Sequence, residues 1–502
     1  MKLKRILSAL LALITVSAVF AGCASGGDTG AADTTASNDT QAAAETTTAA
    51  ETAEYTDPGV KFDGRTFTAL DYDTADYFWQ AATYSDIFVE EENGDPINDA
   101  QYIRNAKVEE QLDIKLGIHS VATVSRTTSA PEFKRLVLAG EDLIDVGFMF
   151  LGEIKNVLSD SSLSIDFGEV NTMDLEASWW NQKFIETFTL FDKVTAVTGD
   201  ISFYGNTAPM TIFFSKQLVQ DYSLGNLYSM VRDHTWTADT MIEMCKKVAN
   251  DINGDGKMDV EDCYGMALQS GLINNMYISS GGNYVKRDGD NITPALNNER
   301  TVNIIEKFVP FIADKTLCNN SKDFSSRYSN VFYELHIPMF KDNRILFNYN
   351  QLVIMFELRA MESDFGVVPW PLFDEIQEDY ISDISASWDT AIMIPATQDD
   401  LEFVGYVLDA LGYYSQQLVT PAFIDTTVMN KAIRDDDSAE MLELILGTRT
   451  YDIGYFYAWG NAPATMTSKL ASANSTDFAS VYASIEAKFI SDIAATMEQI
   501  KG

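Results

Sequence analysis

Histidine is almost absent from this sequence, with three in 502 residues, and cysteine is nearly as scarce at four. His119, His234 and His336 stand in no HExxH or comparable ligand spacing, so a histidine-built metal hydrolase is not encoded here. There is no GxSxG elbow to raise a nucleophilic serine, and no GxxxxGK[ST] loop to cradle a nucleotide phosphate. Positive charge is short as well: 35 Lys and Arg face 74 Asp and Glu, a formal charge of −39. Such a field repels phosphate backbones and anionic lipid, which excludes nucleic acid and the bare membrane surface as partners. After the first twenty-odd residues, no apolar run is long enough to span a bilayer.

What is present begins at the N-terminus. MKLKR carries three positive charges, and ILSALLALITVSAVF follows as an apolar run too short for a comfortable membrane span. It ends in FAGC, small residues ahead of Cys23 in the manner of a bacterial lipobox, with Phe20 in place of the commoner Leu. Residues 1–22 therefore read as a lipoprotein signal peptide and Cys23 as the lipidated N-terminus of the mature chain. Ordinary secretion with a free Cys is the alternative. The charge becomes −42 once Lys2, Lys4 and Arg5 depart. Up to residue 57 there is almost no large apolar side chain, so this stretch cannot offset chain entropy and reads as a disordered tether.

The remaining Cys245, Cys263 and Cys318 are an odd number, which argues against a disulfide framework. Cys245 shares a helical stripe with Met241 and Val248 and reads as a small buried hydrophobe; a bridge from Cys245 to Cys263 is the alternative. Between those two cysteines lies DINGDGKMDVED, residues 251–262. On a twelve-position calcium loop, Asp251, Asn253, Asp255, Asp259 and Asp262 fall at positions 1, 3, 5, 9 and 12. Gly256 takes the turning position, and Lys257 offers its backbone carbonyl. Alternate residues of a tight loop can all point oxygens inward, which suits a hard cation. Position 12 is Asp in place of a bidentate Glu, so the expectation is a structural Ca2+ site, not a switch. A solvated Asp/Asn/Gly turn without an ion is the plainer reading.

Strand and helix patterns alternate through the rest of the chain. RTFTALDY, DIKLGI and LIDVGFMF read as strands, with NDAQYIRNAKVEEQL and PEFKRLVLAGE as helices between them, the first capped at Asn98. TWTADTMIEMCKKVAN is a capped helix running into the calcium loop, and CYGMALQ follows as a strand. FGVVPWPL and TAIMIPAT read as short strands closed by prolines; LEFVGYVLDALGYYS and DDSAEMLELILGT read as helices. This alternation places the chain in the α/β class. The calcium loop is not repeated, which removes architectures built on paired loops.

The order of motifs resembles the extracellular solute-binding lipoproteins of bacterial ABC importers, in particular the family 1 carbohydrate type. The stretches that carry the resemblance are INDAQYIRNAKVEEQLDIKL, FKRLVLAGEDLIDV, VTGDISF, TWTADTMIEMCKKVANDINGDGKMDVEDCYG, LRAMESDFGVVPWPLFDEIQEDYIS and KAIRDDDSAEMLELIL. The resemblance implies a two-lobed, type II periplasmic-binding-protein fold, each lobe a mixed sheet flanked by helices, hinged on crossing segments. Lobe 1 would hold 58–199 and 388–445, and lobe 2 would hold 200–387 and 446–502. The implied partners are a carbohydrate solute and ABC permease subunits, with membrane contact through the lipid anchor alone. The chain would be a monomer at the outer face of the cell membrane. ATP hydrolysis would belong to partner subunits, since no phosphate loop is present.

A sugar offers hydroxyls to carboxylates and amides and C–H faces to flat rings. Loops after strands and crossing segments are where such groups gather. That criterion selects Asp71 and Asp73 after the first strand, and Phe150 and Glu153 after LIDVGFMF. It also selects Asp200 and Tyr204 at the first crossing, Trp370 after GVVP, and Trp388 with Asp389 at the return crossing. Trp236 reads as packing, and Trp179 and Trp180 stay open between cleft and core. Three other readings compete: a glycosidase built on paired carboxylates, a binder of peptide or another polar nutrient, and a calcium-stabilised structural surface lipoprotein. With no catalytic signature, the expectation is that the chain is not an enzyme.

Overall fold

The computed structural model describes residues 55–73, 84–122, 128–359, 361–385, 388–429 and 436–501. Cys23, the apolar run before it and the tether up to residue 54 lie outside the described residues. In chain order the strands are Arg65–Asp73 (β1), Ile114–Ala122 (β2), Val146–Phe150 (β3), Met210–Ser215 (β4), Tyr264–Leu268 (β5), Val285–Asp288 (β6) and Asn291–Pro294 (β7). Then come Cys318–Asn320 (β8), Ile345–Gln351 (β9), Phe365–Val368 (β10), Ser382–Asp383 (β11), Thr390–Met393 (β12) and Arg449–Thr450 (β13). The helices used below are Pro96–Leu112 (α1), Ser129–Ala139 (α2), Ala238–Val248 (α3), Met355–Leu358 (α4), Leu401–Tyr414 (α5) and Asp436–Gly447 (α6).

The first sheet has the order β12-β3-β1-β2, parallel except for β12. Along β1 the side chains alternate: Phe67 and Ala69 face one way, Leu70 and Tyr72 the other, and all four are buried. Phe67 and Ala69 share a core with Val108 and Leu112 of α1 and Phe403, Val407 and Leu411 of α5. The start of α1 differs from expectation. Asp95 is the cap, accepting the amides of Ile97 at 3.0 Å and Asn98 at 3.4 Å. Pro96 occupies the first helical position, where its missing N–H costs nothing. The Asp-Pro pair therefore outranks Asn98 as the start signal.

The second sheet has the order β10-β4-β9-β5-β8, with β5 parallel to both neighbours and β4 antiparallel to both of its own. All six residues of β4, MTIFFS, are buried, as a strand covered on both faces requires. α3 starts at the Thr237 cap and lays Met241, Cys245 and Val248 against this sheet. A side chain at Gly265 of β5 would lie 2.3 Å from Cys245 Cβ, so the close approach of helix and strand demands glycine there. Cys245, Cys263 and Cys318 are buried free thiols, and the weighed Cys245–Cys263 bridge is not formed. Trp236 is buried and donates to the Pro369 carbonyl at 3.0 Å, a packing role. Trp179 and Trp180 lie in the core of the first sheet.

The chain passes between the sheets after β3, between β10 and β12, and again after α5. The three passages lie side by side. β11 pairs in parallel with β13, Ile384 bridges to Pro209, and the Ser385 amide donates to the Ala208 carbonyl at 3.1 Å. α6 packs on β10, and Ser438 shares a 2.8 Å hydrogen bond with the Tyr228 hydroxyl, which ties this helix to the second sheet. Among the described residues no helix is long and apolar enough to cross a membrane.

Candidate functional site

Parallel strands end where their carboxyl edges open, and such an edge is where ligands gather in α/β sheets. β5 ends into Gln269 and its parallel partner β9 ends in Asn350 and Gln351. β4 begins at the same edge, because Met210 opposes Gln351, and the Leu352 amide donates to the Pro209 carbonyl at 2.8 Å. The first passage therefore enters the second sheet beside these amides. The return passage brings Trp388 to the same place, its indole N–H held by Thr207 Oγ1 at 2.8 Å.

Together these elements enclose a cavity of about 170 Å³. Gln269, Asn350, Gln351 and Asn330 supply carboxamides. Trp388, Phe332 and Tyr333 supply rings, and Glu357 of α4 supplies a carboxylate. Hydroxyl-bearing molecules with apolar ring faces are what such a wall can hold.

The sequence-selected residues fall into three groups. Trp388, Phe150 and Tyr204 come together: Phe150 is 6.2 Å from Trp388 and 5.5 Å from Tyr204 between ring centroids, and Tyr204 meets Trp388 edge-on at 5.4 Å. Tyr72 extends the chain of rings, 4.5 Å from Phe150. Of these, Trp388 lines the cavity, and the others stand behind it. Glu153 is tied nearby, accepting Ser129 Oγ at 3.0 Å, while Ser129 also meets the Tyr72 hydroxyl at 2.5 Å. Burial pushes the Glu153 carboxyl up.

The second group is spent on the passages themselves. Asp71 is buried, accepting Ser85 Oγ at 3.3 Å, and burial first, then the neighbouring Asp86, pushes its carboxyl well up. Asp86 accepts Ser202 Oγ and the Tyr204 amide, both at 2.9 Å. Arg104, fully buried, donates to the Ile87 and Ile201 carbonyls and to Ser415 Oγ. This polar knot pins residues 85–87 to the first passage. Asp200 accepts Thr420 Oγ1 at 2.8 Å and Gln416 Nε2 at 3.1 Å, and burial raises its carboxyl. Asp389 accepts the Tyr451 hydroxyl, and burial pushes its carboxyl up to about 7.

The third group lies elsewhere. Trp370 has no exposed surface; its N–H donates to Ser280 Oγ at 3.0 Å, and its ring packs on Tyr349 and Phe308. It belongs to the core of the second sheet. Asp73 closes β1, and its side chain lies outside the described residues. Sequence reasoning missed Gln269, Asn330, Asn350, Gln351 and Glu357. The signal available was the run NYNQ, three carboxamides at the end of an otherwise apolar strand.

The aspartate-rich loop is closed at its base by reciprocal Asn250–Cys263 backbone bonds. Asp251 accepts the amides of Gly254 at 2.7 Å and Gly256 at 2.8 Å, Asn253 that of Asp255, and Asp255 that of Lys257. Asp259 accepts the Glu261 amide, and Asp262 those of Ile252 and Asp259. Gly256 sits at φ 80°, a conformation that suits glycine. Among the described residues no three His, Cys, Asp or Glu side chains converge closely enough to hold a metal ion.

No family model matches the chain, and no curated protein matches it. Solved structures do. The GacH receptor of Streptomyces glaucescens, described unliganded and with acarbose, is similar at TM-score 0.53 and 12% identity, over 87% of this chain and 99% of that one. A cyclo/maltodextrin-binding protein complexed with maltotetraose gives 0.53 at 11% identity, over 88% and 98%. An ABC substrate-binding protein from Listeria monocytogenes in complex with cycloalternan gives 0.51 at 12%, over 88% and 100%. At such identities the likeness establishes the fold: this chain has the α/β architecture of these binding proteins, with mixed sheets, flanking helices and crossing segments.

Proposed function

We propose that this chain is the solute-capturing component of an ABC importer, and that its solute is a saccharide. The observation that carries the reading is the cavity itself: a ring from a crossing segment, Trp388, faces carboxamides at the carboxyl ends of β5 and β9. The structural relatives named above are described with acarbose, maltotetraose and cycloalternan, which supports the same class. One carboxylate, Glu357, stands among the described lining residues, so the paired acid and base of glycoside hydrolysis find no second member there. Binding without chemistry is the consistent reading.

In this reading the three passages form a hinge. Solute touching both halves favours the closed state by the difference in its affinity for closed and open forms, and the closed form is what the permease subunits recognise. Cys23 carries the lipid that keeps the monomeric protein at the outer face of the cell membrane. The loop 251–262 holds a structural Ca2+ through Asp251, Asn253, Asp255, Asp259 and Asp262, with the Lys257 carbonyl. The donor chemistry fits a hard cation, and these oxygens draw inward on binding.

The test is a thermal-shift screen of the mature chain against mono- and oligosaccharides in calcium buffer. A ligand at 100 times its dissociation constant adds about 2.7 kcal/mol. A shift with one glycan series supports the reading. A flat panel from folded protein, followed by a shift with peptides, would replace the saccharide by a peptide.

A further inference from the structure

Two of the carboxamides in the cavity wall are locked against turning over. Asn330 caps the helical segment that follows it: its Oδ1 accepts the Tyr333 amide at 3.2 Å and its carbonyl accepts the Glu334 amide at 2.9 Å. The Glu334 carboxylate reaches back to the Asn330 amide at 3.1 Å, which closes the cap from the other side. Asn350 Oδ1 accepts the Gln351 amide at 2.9 Å. Turned over, either side chain would set its Nδ2 against a backbone N–H, donor against donor. Gln351 is not locked in this way, because its Nε2 meets Ser385 Oγ, and a hydroxyl takes either role.

The wall therefore presents two fixed donors. Each Nδ2 is left for the cavity, with no partner among the described residues. An atom docked against either one must accept a hydrogen bond, or a desolvated N–H goes unpaired. A hydroxyl, ether or carbonyl oxygen meets that demand. Hydrogen in its place leaves the donor unsatisfied, and an ammonium sets donor against donor. The charge of the whole chain, −39, works the other way for an ammonium by concentrating cations near the surface. Contact decides the outcome, since the long-range field is screened beyond about 8 Å at physiological salt and touching donors are not.

We infer that Asn330 and Asn350 are specificity-determining residues that read acceptor atoms on the solute, so that a saccharide carrying a basic amine at either contact is rejected and its hydroxyl counterpart is taken. The inference rests on the saccharide reading and deepens it. Rejection of this kind works by penalising the wrong ligand.

The experiment is calorimetric titration of the mature protein, in mild acid where amines carry their proton, with each neutral glycan that shifts the melt. Each glycan is matched with counterparts in which one hydroxyl at a time is replaced by fluorine, hydrogen or an ammonium. Where the asparagines hold a hydroxyl, fluorine still accepts weakly and should cost least. Hydrogen and ammonium should each cost about ten-fold or more in affinity. Asn330→Asp and Asn350→Asp keep the oxygen that accepts the backbone amide and exchange the outward donor for an acceptor. In each variant the ammonium-to-hydroxyl affinity ratio at the matching position should rise by about ten-fold or more, with the urea midpoint unchanged. A purely structural role would move the midpoint and leave that ratio alone. An ammonium that binds as well as the hydroxyl at every position of the parent glycan overturns the inference. So does a ratio that both variants leave intact. If the folded protein binds no glycan of the panel, the saccharide reading itself has failed and this inference falls with it.

Discussion

The Tyr451 hydroxyl donates to the Asp389 carboxylate at 2.9 Å, tying the segment that follows β13 to the start of the return strand β12. Both groups are buried, and Arg449 stands close enough to favour the charged carboxylate. Tyr451→Phe removes the donor and leaves a buried carboxylate short of a partner, at a cost of about 1–3 kcal/mol. Urea unfolding should show the larger loss at alkaline pH, where Asp389 is ionised, and a smaller one in mild acid. An equal loss at both would mean the hydroxyl contributes through packing alone.

Stability should fall as pH rises from mildly acidic to mildly alkaline. An unfolded Asp titrates near about 3.9. In the folded chain burial pushes Asp389 up to about 7, and Asp409 and Asp452 up to about 6. Between those limits the folded state keeps protons that the unfolded state has lost, so raising pH through the window favours unfolding. Glu132 works in the opposite sense but lower: Arg135 first, then His119, holds it at about 2, and that contribution is lost only as pH falls toward 2. Melting in a chelator buffer should therefore give a higher midpoint near about pH 5 than near about pH 8. A higher midpoint on the alkaline side would contradict the linkage.

Much of the fold could be read from the sequence because strand and helix periods are local. β1, β2, β3, β5, β10 and β12 all stand where alternation or a proline-closed apolar run placed them, and α3 starts at the threonine that caps it. The site could be read only in part. Phe150, Tyr204 and Trp388 converge because they end strands or sit on passages, which is a rule about topology. Asp71 obeys the same rule, yet residues 85–87 fold over it, and nothing local announces that cover. Trp370 looks like Trp388 in sequence; Ser280, ninety residues away, supplies the partner that lets it be core. The amides of β9 went unread because polar residues at a strand end look like the beginning of any loop.

Calcium should raise the melting midpoint if the loop is a structural site. The stabilisation at about 100 times the dissociation constant is about 2.7 kcal/mol. Asp255→Asn with Asp259→Asn should abolish the calcium-dependent part while keeping the turn, since each of these carboxylates accepts one amide through one oxygen, from Lys257 and Glu261, and an Asn oxygen still accepts it. A midpoint that ignores calcium in the parent chain would leave the loop as a self-bonded turn, closed by Asn250 and Cys263 alone.

The two tryptophans give the sharpest separation of site from scaffold. Trp388 is fixed by Thr207 and forms one wall of the cavity, so Trp388→Ala removes the flat face on which a sugar ring would pack. Buried aromatic anchors of this kind are worth about 2 kcal/mol or more in binding, a loss of about thirty-fold in affinity. Trp370→Phe leaves Ser280 without its partner and should cost about 1–3 kcal/mol of stability with affinity unchanged. Circular dichroism on both variants separates misfolding from loss of contact, and Trp388→Phe, which keeps a ring but loses the Thr207 bond, should fall between parent and alanine. Affinity that survives Trp388→Ala would move the solute away from this cavity and onto the aromatic chain through Phe150 and Tyr72.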